Sequence, residues 1–369
     1  MYQHVDIVVG GQFGSESKGR VSAERVAYHC RTQRNLPAPT NVYSVRVGGP
    51  NAGHVVHDDE GREFKMQQIP VGFLEPEAQL HIAAGSEVDM PTLTREVQML
   101  EAAGHQVRGR LTIDPQATIL TQEHRDEEVQ SDLNARTGST AHGIGAARAA
   151  RIWRKAPIVR DYTEQIEALG ARVDNPLADH TRTAPVVVIE GTQGYGLGLH
   201  AGYYPQCTSN DARAIDFAAM AGVNPWDVVS RNHFQVHMVV RPYPIRVAGN
   251  SGPLTSETSW DELGLPAEQT TVTNKTRRVG LFNESIVRLA VDANGRGVTR
   301  IHLGMADQVD RDLANLSGVV SLEQLLNRST HLNVNDELRD LIIQINRIAP
   351  VVSLGTGPRT QLVINDSDQ

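Results

Sequence analysis

Lys18 stands at the end of a run built for contact with an anion: Gly10-Gly11-Gln12-Phe13-Gly14-Ser15-Glu16-Ser17-Lys18-Gly19-Arg20. The run follows the apolar residues Val5-Asp6-Ile7-Val8-Val9 and precedes the helical spacing Val21, Ala23, Val26, Ala27. Strand, glycine-rich loop and helix in that order expose backbone N–H groups at a helix N-terminus. Lysine adds a point charge, and the combination suits a phosphate. No G-x-x-x-x-G-K-[ST] spacing fits, so the loop is not a Walker A sequence. A glycine-rich turn after a strand is often only a tight connection, and the loop alone leaves both readings open. Val47-Gly48-Gly49-Pro50-Asn51-Ala52-Gly53-His54 ends a second apolar run and adds exposed backbone, a carboxamide and an imidazole. It favours the phosphate reading.

Elements able to hold these loops follow from the alternation of short β-rich runs with helical patterns, which predicts an α/β fold with a large, mostly parallel central sheet flanked by helices. Strands are expected at 5–9, 42–47, 80–84, 110–113, 185–189, 234–240, 300–303 and 361–364. Helices are expected at 19–29, 91–103, 122–133, 211–221, 283–292, 321–327 and 335–347. The helix at 91 has Pro91 in its first turn, apolar Leu93, Val97 and Leu100, and a closing Gly104. Residues 36–40 and 249–258 read as long surface loops. No repeat, low-complexity tract or linker divides the chain, so residues 1–369 are expected to form a single domain.

The 369 residues, 40% hydrophobic and 21% charged, are enough for a large core. A net charge of -8 points away from nucleic-acid and membrane partners, and the arginine-rich stretch at 148–160 reads as a solvated helix face. Two cysteines, Cys30 and Cys207, make no disulfide framework. With no signal-peptide pattern and no apolar run of membrane-spanning length, a cytoplasmic location is expected.

Read together, the two glycine-rich segments resemble the adenylosuccinate synthetase family. That family opens on a strand, then G-x-Q-W-G-D-E-G-K-G-K, then G-G-x-N-A-G-H. Its catalytic aspartate aligns with Ser15. This replacement marks the bacteriophage branch, the 2-aminoadenylosuccinate synthetases, which join L-aspartate to dGMP rather than IMP on the way to 2-aminoadenine. The chain is identified as a member of that branch. The resemblance implies a P-loop-related fold, a Mg2+ ion, a homodimer and, for a phage protein, the host cytoplasm.

Further segments extend the resemblance over nearly the whole chain. Gly138-Ser139-Thr140-Ala141-His142-Gly143 is similar to G-T-T-G-R-G and implies Thr140 at the substrate 5′-phosphate and Ser139 among the dGMP contacts, with His142 in place of an arginine. Arg151-Ile152-Trp153-Arg154-Lys155 is similar to K-V-A-R-R, whose arginine aligned with Arg154 reaches the nucleotide phosphate of the neighbouring subunit. The segments around Gln193, Thr208 and Val247 imply, with Asn51 and Ser15, the remaining contacts to dGMP. Ile245 replaces a threonine, and a more apolar ribose wall fits a 2′-deoxy sugar.

Thr271-Val272-Thr273-Asn274-Lys275-Thr276-Arg277-Arg278-Val279-Gly280 is similar to the family's aspartate loop, which implies aspartate contacts from Thr273, Lys275 and Arg277. A dicarboxylate needs cations of fixed geometry, and the Arg277 fork is the first choice for its side-chain carboxylate. The nucleoside triphosphate site is implied at Gly14, Glu16, Ser17, Lys18, Gly19, Gly53, His54, Arg277, Asp307, Gly355, Gly357 and Pro358. Met305 replaces a lysine and Gly355 a serine in the base pocket, which points from GTP to an adenine donor, ATP or dATP. The Ser15 hydroxyl and Gly53 carbonyl are the implied protein ligands of the magnesium.

In the family an aspartate takes the N1 proton of IMP, the 6-oxygen attacks the γ-phosphate, and the amine of aspartate displaces the 6-phosphoryl group. Catalytic roles are therefore implied for Ser15, Lys18, His54 and Gln193. Ser15 cannot act as a strong base, but its small side chain leaves room for the 2-amino group of guanine. Glu16 is the adjacent candidate for the missing base. Two other readings stand beside this one: an IMP-directed, GTP-dependent synthetase, and an inactive nucleotide-binding homologue.

Overall fold

The run Val5-Asp6-Ile7-Val8-Val9 forms the middle of strand β1 (His4–Gly10), whose last six residues are buried. Burial on both faces is what a near-continuous β-branched run predicts for a central parallel strand. The computed structural model describes residues 1–178, 184–269, 276–327, 332 and 334–365. The other main-sheet strands are β2 (Val42–Arg46), β3 (Gln79–Ile82), β4 (Leu111–Ile113), β5 (Arg172–Val173), β6 (Val186–Glu190), β7 (Phe234–Val240), β8 (Thr299–Leu303), β9 (Gly318–Val320), β10 (Val351–Gly355) and β11 (Gln361–Ile364).

They form one 11-stranded sheet in the order β9-β11-β10-β8-β7-β1-β6-β2-β3-β4-β5. β10 and β11 are antiparallel, and every other neighbouring pair among the described residues is parallel. In register, Val8 of β1 faces Glu190 of β6 on one side and His237 of β7 on the other. The main core packs Val5, Ile7 and Val9 with Phe217, Val287, Leu338 and Ile342 from three helices. A second core gathers Leu80, Ile82, Leu93, Val97 and Leu100. No helix among the described residues is long and apolar enough to cross a membrane.

Four expectations are corrected. Three strands were not expected: β5 and β9, of two and three residues, and β10. The five residues of β10 are interrupted by Ser353 and hemmed in by Pro350 and Gly355, too short a run to stand out. The helix expected at 122–133 breaks into Gln122–Gln130 and Leu133–Thr137 because Asp132 is left-handed (φ 52°). The helix expected from 211 begins at Ala214, after an extended Arg213. Segment 249–258 is not simply a surface loop. Ser251 and Leu254 are buried, and Glu257–Thr258 pairs antiparallel with Arg278–Gly280, with an Arg278–Glu257 ion pair beside the ladder.

Candidate active site

The strand ends at Gly10, Arg46, Glu190, Val240, Leu303 and Gly355 bring their following loops to one edge of the sheet, where open parallel sheets hold their ligands. A cavity of about 1480 Å3 opens there. Single-ligand clefts span roughly 300–1,000 Å3, so this one has room for two nucleotides and a small third substrate.

The glycine-rich loop forms the floor. Gly14 (φ 87°), Ser15 (φ 55°) and Ser17 (φ 79°) are left-handed, which turns successive amides toward the cavity. Glycine carries the first of these positions without strain. Glu16 pins the coil. Its buried carboxylate accepts from Gln12 N at 3.2 Å, Gly14 N at 2.7 Å and Lys18 Nζ at 2.7 Å. The sequence placed Glu16 at the triphosphate and beside N1. The structure commits its side chain to the loop and to aiming Lys18, so it does not serve as a free base. Helix Lys18–Arg34 starts without a side-chain cap, leaving its first amides directed at the same space. Gly19 admits no side chain, since a Cβ there would meet the His54 Cβ at 2.8 Å.

His54 is held from behind. Arg46 Nη1 donates to Glu190 Oε1 at 2.5 Å and lies 2.7 Å from His54 Nδ1. His54 Nδ1 makes a close hydrogen bond to the same Glu190 oxygen. Two lone pairs cannot face each other at that contact, so Nδ1 carries the proton and Nε2 is the free nitrogen at the cavity. Glu190 Oε2 accepts from Val71 N at 3.0 Å, and Arg46 also grips Ala52 O at 2.6 Å. Burial, then the Arg46 charge, with a smaller push from Lys18, holds the His54 pKa down at about 4, against the pull of Glu190. Burial pushes Glu190 up, but Arg46 and His54 more than offset it, and its carboxyl ionises below the usual range.

Neither Glu190 nor Arg46 was singled out in the sequence as a site residue. The legible signal was a charged residue ending each of two buried apolar strands; in register they are Cα partners.

Ser15, Asn51, Ser139, Thr140, Gln193, Thr208 and Val247 all border the cavity, together with Ile245. Gln193 (φ 62°) packs its backbone against Gly14. Arg246, also missed, ties the surrounding loops. It donates to Gln206 O at 2.8 Å and Pro253 O at 3.1 Å, and it stacks over Phe13 with 4.6 Å to the ring centroid. Glu128 accepts from Gly143 N at 2.8 Å and Gly145 N at 2.7 Å, fixing the turn that follows Thr140. Arg154 is exposed and lies outside the cavity, on a left-handed turn (φ 59°).

Met305, Asp307, Gly357 and Pro358 line one end of the cavity. Burial raises the Asp307 pKa above its ordinary value. Gly355 does not reach the wall. It lies one layer behind, where a Cβ would fall 2.6 Å from an Arg20 nitrogen and 3.2 Å from Gly304 Cα. Its glycine is required by packing rather than by a ligand. Hairpin His54–His57 and Glu63–Met66 closes over this end, its tip held by Arg359 Nη2 donating to Asp59 O at 3.1 Å.

Arg277 borders the cavity, anchored by its Nε on Gln269 O at 3.1 Å. Its neighbour Arg278 is spent in a bidentate pair with Glu257 at 2.7 and 2.6 Å, which leaves Arg277 as the available fork. Thr273 and Lys275 lie outside the described residues.

The site suits magnesium. Ser15 is exposed on the loop, and Gly53 is exposed, where an added Cβ would meet nothing nearer than the Met66 carbonyl oxygen at 4.0 Å. A hydroxyl and a carbonyl are hard oxygen donors of the kind Mg2+ takes alongside phosphate oxygens and waters. Among the described residues the one cluster of metal-capable side chains, His4, Asp6 and His29, sits at the opposite end of β1, where Arg25 already pairs with Asp6.

The family model for adenylosuccinate synthetase matches residues 7–184 and 157–317. The chain is 32% identical to the adenylosuccinate synthetase of Pyrococcus horikoshii over 98% of both chains. It is 33% identical to that of Methanocaldococcus jannaschii over 97% of this chain and 96% of the relative. Among solved structures it resembles the cyanophage S-2L succinoaminodeoxyadenylate synthetase bound to dGMP and dATP, with a TM-score of 0.77, 28% identity, and 97% and 94% of the two chains covered. It shares its fold with the Plasmodium falciparum adenylosuccinate synthetase at a TM-score of 0.74 and 19% identity, over 98% and 100% of the chains.

Proposed function

This chain belongs to the adenylosuccinate synthetase family of carbon–nitrogen ligases, and within it we propose that it joins L-aspartate to C6 of dGMP, with ATP or dATP as phosphoryl donor. The observation that carries this reading is Ser15. It stands exposed on the loop beside Gln193, where a longer acidic side chain would crowd the 2-amino group that distinguishes guanine from hypoxanthine. The cyanophage relative, bound to dGMP and dATP, supports it. Ile245 supports a deoxy sugar, and Met305 an apolar cover for an adenine face.

Lys18, steadied by Glu16, neutralises the donor's phosphates. His54 presents Nε2 to the transferring phosphoryl group and takes up a proton as that anion arrives, with Glu190 stabilising the imidazolium behind it. The O6 of dGMP attacks the γ-phosphorus as N1 releases its proton to solvent water, and the nucleoside diphosphate leaves. Arg277 binds the side-chain carboxylate of aspartate and aims its amine at C6, from which phosphate departs. Ser15 and Gly53 would hold a magnesium ion, which when bound would supply further positive charge at the phosphates. The active unit is a homodimer in which Arg154 serves the neighbouring site, and the enzyme works in the host cytoplasm without nucleic-acid or membrane partners.

The retained Asp307 favours a second reading, an IMP-directed, GTP-dependent adenylosuccinate synthetase, the name that the archaeal relatives carry. The intact Lys18, His54 and Arg277 argue against an inactive homologue. Product analysis with dGMP, IMP, AMP or GMP against ATP, dATP or GTP, each with aspartate, decides. A succinylated product formed fastest from dGMP with an adenine nucleotide is expected; a preference for IMP with GTP would overturn the proposal.

A further inference from the structure

Arg241 follows β7 with its side chain fully buried, and it touches three of the loops that build the cavity. Its backbone is locked to the phosphate loop in both directions: Arg241 N donates to Gln12 Oε1 at 2.9 Å, and Gln12 Nε2 donates to Arg241 O at 3.0 Å. Its guanidinium donates through Nη1 to Ser15 O at 3.2 Å and Glu268 Oε2 at 3.1 Å, and through Nη2 to Glu268 Oε1 at 2.5 Å and Gln308 Oε1 at 3.4 Å. Glu268 in turn is the foot of the Arg277 segment. Its carbonyl accepts from Arg277 N at 2.8 Å, and Gln269 bridges to Thr276.

We propose that Arg241 is the positioning residue that sets the amine of the amino-acid substrate against C6 of the nucleotide, by fixing the Arg277 stem to the Ser15 loop through Glu268. The proposal rests on the reaction given above. That reaction needs two alignments in one cavity. The first, O6 against the γ-phosphorus, is governed by the phosphate loop and His54. The second, amine against C6, depends on the distance between the Ser15 loop and Arg277, and Arg241 is the one described side chain bonded to both the loop and the stem.

The planar fork reaches both at once, which a point charge cannot do. If the stem drifts, the first step still proceeds while the second slows. Water then attacks the 6-phosphoryl group, its oxygen joining phosphorus and the P–O6 bond breaking. dGMP and phosphate are returned, and the net change is hydrolysis of donor to diphosphate and phosphate.

Glu268→Gln and Arg241→Lys test this, with thermal melting to establish that each variant is folded. In the wild type, donor consumed per succinylated product should be about one. In Glu268→Gln it should rise to about two or more, with KM for aspartate up about tenfold and KM for dGMP changed less than about threefold. Arg241→Lys should behave alike; if it fails to fold, Glu268→Gln alone decides. A folded Glu268→Gln that keeps the wild-type stoichiometry and aspartate KM would overturn the proposal. If the wild type makes no product from dGMP, the assigned substrate is what fails. The same ratio is then measured with whichever nucleotide pair the wild type uses, and it tests Arg241 as before.

Discussion

Glu190 and His54 share a hydrogen bond at the back of the cavity, and the carboxylate end of a buried strand thereby sets which imidazole nitrogen faces the substrate. In the free protein burial and the Arg46 charge keep His54 neutral near pH 7, with its pKa at about 4. A phosphate arriving at Nε2 reverses that balance, because the imidazolium then lies between two anions. Glu190→Gln removes one of them and leaves the shape intact. A loss of about 100-fold in kcat is expected, the low end of what a proton-transfer group contributes, with KM for dGMP changed less than about threefold. Steady-state kinetics check this. A near-normal kcat would mean that His54 works without its carboxylate.

Ser15 should control the acceptor. Ser15→Asp restores a carboxylate against N1 and crowds the 2-amino group, so activity on dGMP should fall and activity on IMP should rise. One clash or contact shifts such discrimination by about 1–3 kcal/mol. The ratio of kcat/KM for the two nucleotides is the readout, and an unchanged ratio would show that the position is silent in selection.

Much of this site could be read before the fold was seen. Glycine-rich loops, Lys18, His54 and Arg277 announce themselves because their chemistry is local: a loop presents its own amides, and a cation keeps its charge in any context. Glu190, Arg46, Arg241 and Glu268 were silent because their contacts form only between strands and loops far apart in the chain. Arg46 and Glu190 are 144 residues apart in the chain yet adjacent in register. Gly355 misled for the opposite reason. It lies inside a ligand-like motif, but its missing side chain makes way for Arg20. Strand order likewise followed from packing rather than from any single segment, and β10 was lost because five residues around a serine carry little period.

Acid should destabilise the fold. Across the sheet, Ser353 Oγ and His302 Nδ1 share a hydrogen bond at 2.8 Å, His302 Nε2 and His237 Nδ1 share one at 2.9 Å, and His237 Nε2 faces Asp6 Oδ1 at 3.2 Å. His4, His29 and Arg25 crowd the same carboxylate. Burial above all holds His29, His237 and His302 below their ordinary pKa, and burial takes His81 down to about 3. The unfolded chain therefore binds protons that the folded one refuses. Stability is complete above about pH 6.5 and is lost as pH falls below it, at about 1.4 kcal/mol per unit for each such group. Asp6, held well below the usual carboxylate range, adds its loss only at lower pH. Melting curves from pH 7.5 to 5 should show a falling transition temperature, and His302→Asn should flatten that dependence. A transition temperature indifferent to pH over this range would rule out the buried histidines as the cause.

Arg154 should work in the neighbouring subunit. It stands outside its own cavity, beside Ile152 and Trp153, which expose 72% and 71% of their surface, an apolar pair suited to burial by a second copy. Thr208 borders the cavity of its own chain. Arg154→Ala and Thr208→Ala should each impair use of the nucleoside monophosphate, chiefly in KM. In a mixed dimer one site then carries both substitutions and the other carries neither. Random exchange makes half the dimers mixed, so equal amounts of the two variants should recover about one quarter of wild-type activity. Absence of recovery despite demonstrated subunit exchange would place Arg154 outside the shared site. A monomer with full activity would remove the need for a shared site altogether, and Arg154 would then be an ordinary surface charge.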